Sequence, residues 1–61
     1  MNTYEIHGPE AFAKKFRGRY TLRQIANLAT REKVKGTIQI LNTLTYQPHS
    51  FWKAWDRWML E

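Results

Sequence analysis

No cysteine occurs in the 61 residues, so neither a disulfide nor a thiolate centre is available, a usage compatible with a reducing compartment. Glycine is sparse: Gly8, Gly18 and Gly36 lie far apart, which excludes a glycine-rich loop that cradles phosphate. Acids number five against ten Lys and Arg, and none is flanked by residues that would bury it for acid–base work. His7 and His49 have no partner at ligand spacing, so no metal site is expected. His7 is expected instead as a hydrogen-bonded residue at a strand end. No serine or aspartate stands in a nucleophile-elbow context. No apolar run approaches the roughly 20 residues that cross a bilayer, and no charged-then-apolar leader pattern opens the sequence. Together these absences predict a soluble cytoplasmic protein that is not an enzyme, with no cofactor, no metal and no membrane partner.

What the chain does have is aromatic rings and positive charge. A chain of this length is expected as one domain, 1–61, burying only about 60% of its unfolded surface. Three Trp, three Tyr and three Phe must then fill the core, since each large ring buries about 150–250 Å2. The formal charge of +5 is unevenly spread. Lys14, Lys15, Arg17, Arg19, Arg23, Arg31, Lys33 and Lys35 face the single acid Glu32 within 14–35, a local +7 that leaves −2 elsewhere. Such asymmetry points to a negatively charged partner, nucleic acid or an acidic protein surface.

Thr21–Lys33 is the clearest helix. Thr21 is a good N-cap and Gln24 completes a capping box. Leu22, Ile25, Ala26, Leu28 and Ala29 share one face at spacings of three and four, and Gly36 follows as a stop. Tyr4–His7 reads as a strand closed by Gly8-Pro9, and Gly36–Tyr46 as a strand with Ile38, Ile40, Asn42 and Leu44 on one side. Gln47–Ser50 reads as a turn around Pro48. Two segments are ambiguous. Ala11–Tyr20 fits a helix begun at Pro9 that pairs Phe12 with Phe16, but the period-two pattern of Lys15–Tyr20 favours a strand. Phe51–Leu60 fits a helix capped by Ser50, or two short strands, Phe51–Trp55 and Trp58–Leu60, turning at Asp56-Arg57; pattern alone favours the helix. The fold class is α+β, one dominant helix across an antiparallel sheet. Ile25, Leu28, Ile38 and Ile40 are its expected core, with Phe16 and at least one Trp.

Arg23, Asn27 and Arg31, spaced by four, form one stripe on the wet helix face, continued by Lys33 and Lys35. These five are the expected binding residues. Lys15, Arg17 and Arg19 make a second basic patch, interleaved with Phe12, Phe16 and Tyr20, which are expected in the core rather than stacked on bases. Trp52, Trp55 and Trp58 suggest a stacking platform or a protein hot spot, with core packing expected for at least two.

The run Thr21-Leu-Arg-Gln-Ile-Ala-Asn-Leu-Ala-Thr-Arg-Glu-Lys33, followed by Gly36-Thr37-Ile38, resembles a pattern in small phage and prophage proteins. There, a [Ser/Thr]-Leu-x-x-Ala-Lys-Arg-x-Ala-[Ser/Thr]-[Lys/Arg] helix leads to a Gly-Thr-Val/Ile strand and a late Trp. One branch comprises anti-CRISPR proteins that act on the type I-F surveillance complex. The likeness covers Thr21–Ile40; Ile25-Ala26-Asn27 stands where the family has Ala-Lys-Arg. The resemblance implies about five antiparallel strands across one helix, ββαβββ, with the Trp-rich tail as a closing hairpin. It also implies a counter-defence protein in the cytoplasm of an infected bacterial host. Its partner would be a host protein complex, a CRISPR surveillance complex in that branch, whose access to nucleic acid it blocks. From the residues alone, the alternative is a free-standing module that binds DNA or RNA through 14–35.

Overall fold

The computed structural model describes residues 2–61. Alternation of large and polar residues at the start becomes strand β1 (Tyr4–Gly8), with Tyr4, Ile6 and Gly8 turned inward. A cis Gly8–Pro9 peptide then leads into helix α1 (Glu10–Lys15). The strand expected over Ala11–Tyr20 is therefore corrected to a helix followed by an extended return. Pro9 caps α1 with φ −60°, needing no N–H there, and its carbonyl accepts from Ala13 at 2.9 Å. Glu10 in the first turn and Lys14 and Lys15 in the last match the helix dipole. Phe12 is buried and meets Phe16 edge-on, centroids 5.2 Å apart. Strand character survives only at Tyr20, which exchanges two backbone hydrogen bonds with Tyr4, 2.7 and 2.9 Å.

Helix α2 (Leu22–Arg31) carries both halves of the capping box: the Gln24 N–H donates to Thr21 Oγ1 at 3.2 Å and the Thr21 N–H to Gln24 Oε1 at 2.9 Å. It ends two residues before the expected Lys33. Lys33 itself, at φ 55°, takes the left-handed position that the sequence reading assigned to glycine. The Val34 N–H donates to the Ala29 carbonyl and the Lys33 N–H to that of Thr30, which closes the last turn, and half-buried Val34 packs on the core. Gly36, at φ 88°, then turns the chain into the sheet.

Strand β2 (Ile38–Asn42) is shorter than the Gly36–Tyr46 expected, because Asn42 starts a turn. Its buried Oδ1 accepts from the Leu44 and Thr45 N–H groups at 2.8 and 3.1 Å, and Tyr46 donates back to the Asn42 carbonyl at 2.8 Å. The turn thus precedes Gln47, and Pro48–Ser50 belong to β3 (Pro48–Ala54) rather than to a turn. β3 and β4 (Arg57–Leu60) form a hairpin, so the helical alternative for Phe51–Leu60 is overturned. Phe51 pairs across the sheet with Ile38 and stacks on Trp58, centroids 4.9 Å apart. The sheet is antiparallel throughout, in the order β1-β2-β3-β4. The order of elements is βααβββ, which replaces the five-stranded ββαβββ expectation; the α+β class stands.

Tyr4, Ile6, Phe12, Ile25, Ala29, Ile38, Ile40 and Phe51 form the core. Leu28 and Phe16, expected inside, are half-buried at its margin: α2 turns Ile25 and Ala29 to the sheet, which leaves Leu28 on its flank. Of the tryptophans only Trp58 packs against this core, where two were expected. Trp52 pairs with Met59, one residue out of phase with Trp58, and so lies on the opposite sheet face.

Candidate binding surface

Because α2 presents Ile25 and Ala29 inward, its opposite side is set by helical periodicity. Arg23, Asn27 and Arg31 are all exposed there, and a rise of about 1.5 Å per residue spreads them over about 12 Å. Thr30, beside them, returns its hydroxyl to the Ala26 carbonyl at 2.8 Å and Gln24 is held in the cap, so neither competes for a partner. Lys33 and Lys35, also exposed, follow where the chain leaves the helix. The structure therefore presents Arg23, Asn27 and Arg31 along one side of α2, with Lys33 and Lys35 exposed beyond its end and Lys35 lining the groove shared with Lys15 and Glu32.

The second patch does not hold together. Lys15, at the end of α1, reaches Glu32 at the end of α2 and forms an ion pair. It lines a groove with Pro9, Ala11, Phe12, Glu32, Val34 and Lys35, which brings it to the first set of cations. Arg17 lies beyond the break at Phe16 and lines a different cavity with Glu5, His7 and Lys14. Arg19 is exposed between Gly18 and the Tyr20 bridge.

Ion pairing divides the eight cations of 14–35. Lys14 meets Glu10 at 2.9 Å and Lys15 meets Glu32; among the described residues, Arg17, Arg19, Arg23, Arg31, Lys33 and Lys35 have no acid within 4.0 Å. Glu32, the one acid of the segment, is already occupied. The field along α2 thus has one sign. His7 is half-exposed, with its Nε2 3.4 Å from Glu5 Oε1, a long contact at a strand end. Among the described residues no three His, Asp or Glu side chains gather in a metal-binding group, and no buried side-chain polar atom lacks a partner. Among the described residues no helix is long and apolar enough to cross a membrane.

The hairpin alternative puts the tip of β3–β4 at Asp56-Arg57 and does not set Trp55 apart from the other two tryptophans. Ala54 pairs with Arg57, which leaves Trp55-Asp56 as the turn, one residue before the turn expected. Trp55 is 98% exposed at φ 59°. The signal was present in the Trp52, Trp55, Trp58 spacing, but the same spacing also fits a helical stripe. Compared with protein-family models, curated proteins and solved structures, the chain matches none.

Proposed function

We propose that this chain is a binding module rather than an enzyme, and that it acts by docking the outer side of α2 on a negatively charged surface of a host nucleic-acid-handling complex. The carrying observation is the row Arg23, Asn27, Arg31, Lys33 and Lys35, exposed and without an acid at bridging distance while Glu32 is held by Lys15. Two unit charges about 12 Å apart in water repel by only about 0.3 kcal/mol, and salt reduces that further. The row therefore costs the fold little. Its value lies in its single sign, which steers a complementary surface, and in Arg, whose planar fork pairs with carboxylate or phosphate.

The resemblance over Thr21–Ile40 extends this reading to a phage-encoded counter-defence protein, working in the cytoplasm of an infected bacterium and blocking nucleic-acid access to a CRISPR surveillance complex. The two-helix, four-stranded order departs from what that family implies, so the docking face, not the architecture, supports the assignment. The test is competition: purified type I-F surveillance complex is incubated with labelled target DNA and an excess of this protein. Loss of DNA binding is expected; undiminished DNA binding sinks the occlusion reading. A second reading, direct binding of DNA or RNA through 14–35, draws also on Arg17 and Arg19, which have no acid within 4.0 Å among the described residues. Retardation of random-sequence duplex at about 150 mM salt would favour it, because non-specific binding is already weak there.

A further inference from the structure

The hairpin tip combines three properties that stability does not account for. Trp55 holds a left-handed backbone conformation, φ 59°, that is sterically unfavourable for a bulky side chain and natural for Gly or Asn in a two-residue hairpin turn. Its ring is 98% exposed, so it returns no burial to a domain whose core depends on rings. Its surroundings are cationic. A groove of about 480 Å3 runs between Trp55, Trp52 and Lys53 on the hairpin and Val34, Lys35, Gly36 and Thr37 at the entry to β2, with no acid in its lining. Arg57 adds a further cation beside the turn, next to Asp56, while Glu61 lines a neighbouring groove with Thr37 and Trp52.

We propose that this tip is a binding site for single-stranded nucleic acid, in which an unpaired base stacks on Trp55 and the flanking phosphates meet Lys53 and Lys35. The ring offers its faces to solvent, as a base-stacking platform must, and paired positive charge alongside an aromatic plane is the combination that follows a sugar–phosphate strand. A duplex keeps its bases stacked on one another and presents no face to Trp55, so the site selects single strands. An apolar protein anchor is disfavoured by the lining, since two ammonium groups would be desolvated without a counter-charge. The site is distinct from the outer side of α2, although Lys35 stands at the junction: it lines both this groove and the one shared with Lys15 and Glu32.

The experiment measures fluorescence anisotropy of labelled 12-nucleotide oligo(dT), and of a duplex of equal length, at low and near-physiological salt. The native chain is expected to bind the single strand more tightly than the duplex. Trp55→Ala should weaken single-strand binding about 5- to 150-fold, the range for loss of one stacked base, with its melting temperature no lower than the parent's. Trp55→Phe should restore part of the affinity, and Lys53→Ala with Lys35→Ala should weaken binding at low salt and make it less steeply dependent on salt, because fewer counterions are released. Arg23→Ala with Arg31→Ala should preserve the preference for single strands. Equal affinity for single strand and duplex, or unchanged binding by Trp55→Ala, overturns the proposal. It is also overturned if Trp55→Ala abolishes inhibition of the surveillance complex while oligo(dT) is not bound, which assigns the tip to a protein contact.

Discussion

Lys15 and Glu32, 17 residues apart, are joined by an ion pair that ties the end of α1 to the end of α2. Lys15 is 60% exposed and Glu32 25%, a setting in which such a pair contributes about 0–1 kcal/mol. Its larger effect is on the field, because it occupies the only acid among the cations of 14–35. Glu32→Gln should therefore leave the fold nearly intact while raising affinity for anionic partners. Elution from immobilised heparin at higher salt, with a fall in melting temperature of no more than about 8 °C, is the expected result.

Charge reversal on the other side of α2 should act in the opposite direction. Arg31→Glu with Lys33→Glu removes no buried contact, so melting is expected to stay within a few degrees of the parent. Attraction becomes repulsion at the proposed docking face, and the proposed inhibition of target-DNA binding by the surveillance complex should be lost. Normal melting with full inhibition would move the docking surface elsewhere.

The core makes a graded prediction along one helix. Ile25 is fully buried, and Ile25→Ala should cost about 2–5 kcal/mol, enough to unfold a domain of this size at 37 °C. Leu28→Ala, at the margin of the core, should cost about half as much or less. Paired urea titrations decide the order; a larger loss at Leu28 would mean that α2 is rotated about its axis.

Thr21 tests the start of that helix. Thr21→Ala removes the hydroxyl that accepts from the Gln24 N–H and should destabilise by about 0.5–2 kcal/mol. Thr21→Ser keeps the acceptor and should melt within a few degrees of the parent. A similar fall for both variants in a thermal scan by circular dichroism would place the effect outside the cap.

Trp55→Gly should stabilise the chain. Glycine relieves a left-handed strain of about 1–2 kcal/mol and gives back about 0.4–1 kcal/mol through the freer unfolded state. With almost no burial to lose, the balance favours a melting temperature higher by a few degrees. A lower melting temperature would show that the ring supports the hairpin.

The parts of this protein legible from its residues are those fixed by neighbours along the chain. The start and the inward face of α2 follow from the Thr21–Gln24 box and from apolar residues three and four apart, and the row Arg23, Asn27, Arg31 follows from the same period. The inward side of β2, with Ile38, Ile40 and Asn42, follows from alternation. Tertiary structure decided the segments whose local preferences balance. Six residues of α1 are too few to hold a helix unaided, so the packing of Phe12 and the Tyr4–Tyr20 hydrogen bonds settle Ala11–Tyr20. Phe51, Trp55 and Trp58 fit a helical stripe as well as a hairpin until Phe51 pairs with Ile38. The site divides in the same way. Which cations line up on α2 is a property of the sequence; that Glu32 is taken by Lys15, and that Trp55 stands alone at a turn beside Lys53 and Lys35, depends on chain segments meeting across the fold.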